Sequence, residues 1–118
     1  MPILKAKSFD AIFSMEVFYY LPELQWALVS VLRLLRPGGL FACIVDFYAE
    51  NEASHKWPTD LGVQMNLLSE SQWRDAMTDV GFEVVEQCRL VPDATDTADS
   101  WKHTAGSLLT LGRRPLDS

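Results

Sequence analysis

Two short apolar runs separated by one amphipathic segment constrain this chain more than any other feature. The runs are residues 9–15, FDAIFSM, and residues 40–47, LFACIVDF. Each is nearly continuous in apolar residues, the pattern of a strand buried on both faces. Between them, Leu24, Ala27, Leu28, Val31, Leu32, Leu34 and Leu35 gather on one side of a helix at about 100° per residue. Glu23, Gln25, Ser30, Arg33 and Arg36 fall on the other side, and Trp26 and Val29 depart from the pattern by joining them. Pro22 suits a first helical turn, Arg33 and Arg36 suit a C-terminus, and Pro37-Gly38-Gly39 stops and turns the chain. A helix is therefore predicted over residues 22–35. Strand, helix and strand in that order make a βαβ unit, which implies parallel strands and a right-handed crossover.

The remainder reads as further α/β structure. Residues 48–68 are polar, contain Asn51, His55, Trp57, Pro58 and Gly62, and are long for a structureless connection. Their aromatic content predicts a functional lid, with a short helix at residues 61–66. Ser69-Glu70-Ser71-Gln72 is a capping box that opens a helix, with Trp73, Ala76, Met77 and Val80 on its buried face and Gly81 at its end. Residues 82–90, FEVVEQCRL, predict a third strand with Phe82, Val84 and Val85 facing the core. Residues 92–103 predict a loop and residues 106–113 a last strand. The connection between these two strands lacks a helical pattern, so they are expected to pair antiparallel. No internal repeat or low-complexity tract breaks the chain, and residues 1–118 read as a single domain.

Composition narrows the classes of function. A chain of 118 residues with 48% apolar content builds one core. The net charge is −6 and the ten Lys and Arg residues form no run, which argues against nucleic acid and anionic membranes as partners. No apolar run is long enough to span a bilayer, and the N-terminus lacks a signal-peptide pattern. Cys43 and Cys88 have no metal-ligand spacing and lie in apolar strands, so reduced thiols and a cytoplasmic location are expected.

The ordered parts resemble the C-terminal half of a class I S-adenosylmethionine-dependent methyltransferase of the small-molecule type. FDAIFSMEVFYYL is similar to that family's fourth strand and following loop, and VLRLLRPGGLFACIVDF to its helix, Pro-Gly-Gly turn and fifth strand. LLSESQWRDAMTDVGFEVVE is similar to the next helix and sixth strand, and GSLLTLGRRP to the seventh. The resemblance implies an α/β fold: a partial Rossmann-like methyltransferase sheet of about four strands, in the order 4-5-7-6. Its last strand is antiparallel and helices flank it. The family's glycine-rich turn after strand one, and the acidic residue ending strand two, have no counterpart here. Gly38-Gly39 precedes a strand, whereas a nucleotide loop follows one. The chain thus reads as the acceptor-side half of a methyltransferase, a truncated domain unable to hold S-adenosylmethionine alone. The alternative is a non-catalytic, dimerising module of the same ancestry. Without strand one, residues 9–15 are expected to present an unpaired apolar edge to a second copy or to a missing N-terminal half.

The resemblance also points to site residues. Met15, Glu16 and Val17 fall where the family's backbone runs along the cofactor; Glu16 equally suits a strand end near a helix N-terminus. Phe18, Tyr19 and Tyr20 would wall off a small-molecule methyl acceptor, or pack in the core. Asp46, Tyr48, His55 and Trp57 lie at or beyond the carboxyl end of the second strand, where acceptors sit. Tyr48 and Trp57 are substrate-side candidates. His55 is a candidate general base, its ordinary pKa being near physiological pH, or else a solvated loop residue. His103 reads as structural or solvated.

Overall fold

The computed structural model describes residues 9–15, 18, 23–62, 64–91 and 106–116. Strand β1 (Phe9–Met15) leads through helix α1 (Leu24–Leu34) to strand β2 (Leu35–Val45). A 3-10 turn at Glu52–Ser54 and a short helix α2 (Trp57–Leu61) follow. Helix α3 (Glu70–Val80) and the strands β3 (Glu83–Leu90) and β4 (Ser107–Arg113) complete the fold. The sheet order is β1-β2-β4-β3, with β1 and β2 parallel and β4 antiparallel to both its neighbours. This is the order 4-5-7-6 expected above.

The core lies between the sheet and one helical layer. Phe41, Cys43 and Val45 of β2 and Leu108 of β4 join Leu28 and Val31 of α1, Trp73 and Met77 of α3, and Phe82 in one buried cluster. Gly112 allows the close approach of α3 to β4: a Cβ there would sit 2.5 Å from Met77 Cε and 3.0 Å from the Phe82 ring. Trp26 is 70% exposed, in keeping with its place on the polar side of α1.

Helix α3 starts as its capping box requires. The Ser69 hydroxyl accepts from the Gln72 backbone N–H, and the Gln72 side chain accepts from the Ser69 N–H. Gly81 ends the helix at φ 118°, a conformation that side chains with a Cβ resist. Gln87 then ties α3 to the sheet, donating to the Glu70 carbonyl at 2.7 Å and to the Thr110 hydroxyl at 3.0 Å while accepting from Arg74 at 2.7 Å.

Four expectations are corrected. Residues 9–15 are not buried on both faces: β1 is the outer strand of the described sheet, and Phe13 is 66% exposed. Pro37-Gly38-Gly39 is not a turn between helix and strand, because β2 begins at Leu35, directly after α1. The three residues sit in a register shift, where Phe9 faces Leu35 and Ala11 already faces Leu40. The extra β2 residues loop outward as a large bulge, and a Cβ at Gly39 would lie 2.9 Å from the Arg36 carbonyl and 3.1 Å from that of Asp10. Val85 is exposed, because a second shift between Val84 and Glu86 turns it out of the core. The short helix of the long connection covers Trp57–Leu61, not residues 61–66. The predicted loop at residues 92–103 lies outside the described residues.

Arg114 closes the structure. Its Nη1 donates to the carbonyls of Leu32 at 2.9 Å, Leu35 at 2.8 Å and Arg33 at 3.3 Å. These carbonyls lie at the last turn and C-cap of α1, the negative end of the helix dipole, where Leu32 also accepts from the Leu35 N–H. Its backbone meets the bulge as well, with Arg114 N–H donating to Gly39 and Gly38 N–H to the Arg114 carbonyl. Arg114→Met keeps an apolar stem and removes the donors. We expect it to lower stability by about 1–3 kcal/mol, read as a reduced urea midpoint at unchanged slope.

Candidate functional site

β1 and β2 run in parallel and end together, at Met15 and Val45. The chain segment beyond Val45 is a compact knot of hydrogen bonds, not an open flap. Asn51 is fully buried; its side-chain N–H donates to the Asp46 carbonyl at 2.8 Å and its backbone N–H to Tyr48 at 3.0 Å. Its own carbonyl accepts from the Ser54 backbone and hydroxyl. Ala49 N–H donates to the Leu68 carbonyl at 2.8 Å, which draws the two ends of the connection together.

Met15 is 49% exposed at the end of β1. Glu16, Val17, Tyr19 and Tyr20 lie outside the described residues, as does His103. Phe18 is buried and its ring lies 5.3 Å from that of Phe41. Tyr48 is fully buried, donates its hydroxyl to the Gly106 carbonyl at 2.8 Å, and has the Arg89 guanidinium 5.7 Å from its ring centre. Burial pushes the Tyr48 phenol up, against the opposing pull of Arg89. Trp57 is half-buried with its ring 6.4 Å from Phe47. His55 is exposed and its Nε2 lies 2.8 Å from the Ala49 carbonyl. A carbonyl only accepts, so neutral His55 carries its proton on Nε2 and keeps Nδ1 as the basic nitrogen. Tyr48, His55 and Trp57 thus follow the carboxyl end of β2 in the chain, each held by a different partner: Gly106, the Ala49 carbonyl and the Phe47 ring.

Other residues of this end escaped the sequence reading. Arg89 pairs with Glu70, whose hydrogen bond raises the Arg89 pKa further. The Glu50 carboxylate accepts from the Glu70 backbone N–H at 2.9 Å, at the start of α3. Ser107 donates to the Asp46 carboxylate. Charged residues on strands read as solvated in a sequence, so nothing local marks Arg89. Asn51, a hydrogen-bonding residue five positions after an apolar strand, carried the one usable signal.

The aromatic side chains of this end pack on separate partners, Tyr48 on Gly106 and Arg89, Trp57 on Phe47 and Phe18 on Phe41. No group of three or more His, Cys, Asp or Glu among the described residues is placed to hold a metal ion. None of the four strands is followed by a glycine-rich turn within the described residues.

A methyltransferase-domain family model matches residues 4–87. The chain belongs to the methyltransferase-domain family. The methyltransferase solved in complex with the Haloferax volcanii Trm112 methyltransferase activator is 33% identical, with a TM-score of 0.83 over 93% of this chain and 55% of that one. Cycloartenol-C-24-methyltransferase 1 of Oryza sativa is 34% identical over 95 residues, or 74% of this chain and 28% of that protein. An S-adenosylmethionine-dependent methyltransferase from Mesorhizobium loti shares the fold at a TM-score of 0.75 and 19% identity, over 97% of this chain and 65% of that one. The chain spans less than a third of the length of the curated relatives it matches. Among the described residues no helix is long and apolar enough to cross a membrane.

Both thiols are free. Burial pushes Cys43 up from 9.0 to about 12, so it stays protonated and unreactive in the folded chain. The unfolded thiol ionises from 9.0 upward and the folded one only near 12, so the thiol's contribution to stability is present below pH 9.0 and is lost as pH rises between these values. We expect a thiol reagent to label Cys88 first and Cys43 only on unfolding, and the urea midpoint to fall above pH 9.0. Tyr48→Phe leaves the Gly106 carbonyl without its donor and should cost about 1–2 kcal/mol, measured by the same denaturation.

Proposed function

We propose that this chain is the acceptor-side portion of an S-adenosylmethionine-dependent small-molecule methyltransferase. The observation that carries the reading is the carboxyl end of the parallel pair β1 and β2. There, Tyr48, His55 and Trp57 are held on a hydrogen-bonded loop beside the start of α3. In a doubly wound sheet, ligands bind at the carboxyl ends of the strands. The family supports methyl transfer, and the sterol methyltransferases among its relatives support a small apolar acceptor.

In this reading Phe18, Tyr19, Tyr20, Tyr48 and Trp57 line or support the acceptor side and exclude water. His55, through Nδ1, takes the proton that an O–H or N–H acceptor releases. Met15, Glu16 and Val17 lie along the cofactor. Bound S-adenosylmethionine would supply the electrophilic methyl group. Its glycine-rich cradle is contributed by a further segment, joined to this chain or brought by another. The two free thiols favour a reducing compartment, the cytoplasm.

The outer position of β1 favours a second reading, a non-catalytic module that associates through that strand. The activator-bound state of the Haloferax volcanii neighbour makes a separate protein partner a further candidate for completing this chain.

Calorimetric titration of the 118-residue chain with S-adenosylhomocysteine separates the readings. We expect no saturable heat from the chain alone. We expect binding once the glycine-rich portion of a full-length relative is fused ahead of β1. A folded fusion that still fails to bind counts against the methyltransferase reading.

A further inference from the structure

Helices α1 and α3 pack side by side and leave a groove on the surface they share. Its cavity is about 350 Å³, inside the range of about 300–1,000 Å³ that small ligands occupy. The floor is apolar. Leu24 of α1, Ala76 of α3 and Leu68 just ahead of α3 lie half-buried against the core. The rim is unbalanced in charge: Asp75 and Asp79 line it, and no Lys or Arg among the described residues does. The ion pairs of the described residues engage other carboxylates, those of Asp10, Glu70 and Glu83.

This arrangement works against α3 itself. Asp75 and Asp79 stand one turn apart, where like charges repel. Asp79 falls in the last turn, beside the negative end of the helix dipole, and that turn carries no basic residue. Both side chains are exposed, so the core does not require them. A cation brought to this rim relieves both conflicts at once.

We propose that the groove binds a small organic amine, with its ammonium between Asp75 and Asp79 and its short apolar stem along Leu24, Leu68 and Ala76. Residues one turn apart bring their Cβ atoms to about 5–6 Å, so one ammonium reaches both carboxylates. Gln25 lines the same groove, and its side chain has no hydrogen bond among the described residues. Its amide oxygen is a third acceptor. Three acceptors match the three N–H donors of a primary ammonium, and hydrogen bonds to a charged donor are the strong ones. The dimensions favour a small molecule over a protein, because a stable protein contact takes about 800 Å² from each partner. Methyl transfer is not needed for such a site: the described residues that line it come from α1, α3 and Leu68.

The test is an NMR titration of the isotope-labelled chain with hexylammonium chloride at low salt, with hexanol as the uncharged control. We expect saturable shifts of the Leu24, Gln25, Asp75, Ala76 and Asp79 amides. Hexanol should bind about tenfold more weakly, the loss of two exposed ion pairs. Asp75→Asn combined with Asp79→Asn should abolish the preference for the charged ligand. The same variant should raise the urea midpoint, because the repulsion and the dipole conflict are both removed. Glu52→Gln, at an exposed carboxylate outside the groove, should leave binding unchanged. The fusion carrying the glycine-rich portion of a relative should show the same shifts as the chain alone. Absence of saturable shifts at these residues, equal binding of hexanol, or undiminished binding by the doubly neutral variant overturns the proposal. So does a fusion whose added portion closes the groove to the amine.

Discussion

The junction between α1 and β2 is the constraint on which the other parts depend. The helix ends at Leu34 and the strand begins at Leu35, with no connecting turn. A helix that ends this abruptly leaves several carbonyls without intrahelical partners. Arg114, 79 positions beyond Leu35, answers three of the carbonyls at this junction with one guanidinium nitrogen. The cation also meets the negative end of the helix dipole. The direction of β2 is thus fixed jointly by the second element of the chain and by its last strand. Only with that direction fixed do β1 and β2 end side by side and place Met15 near the loop that follows Val45.

Gly39 is the second half of the same device. The β2 bulge brings it against the backbone of β1, where a Cβ would meet two carbonyl oxygens. Its own carbonyl accepts from Arg114. One small residue therefore lets three strands converge at the amino end of the parallel pair. The opposite end is left to a different set of contacts, centred on Asn51 and Glu70.

What was legible in the sequence was what depends on neighbours in the chain. The capping box of α3 is a matter of positions 69 and 72, and it formed as read. The parallel pair followed from two apolar runs and one helix, and the antiparallel last strand from the lack of a helical pattern before it. The misreadings came from partners far away in sequence. Pro37-Gly38-Gly39 looks like a stop, but Arg114 draws it into a ladder that no local pattern shows. Val85 looks like core until the sheet's register shift turns it outward. The position of α2 was a local signal left unused: Pro58 in its first turn and Gly62 at φ 67° just past its end bracket the helix. In the segment after β2, the positions of Tyr48, His55 and Trp57 follow from the strand that precedes them. Arg89 was not legible, because its partners Glu70 and Tyr48 come from other elements.

The loop after β2 stores its shape in a few inward groups. Asn51, Ser54 and the Asp46, Tyr48 and Ala49 backbones hold it, while Glu52, Ala53 and Lys56 face solvent and His55 is tethered by a single ring nitrogen. Shape and surface chemistry are thereby assigned to different residues. Such a loop can exchange the side chains it displays at the rim without refolding, because the groups that hold its shape lie beneath them.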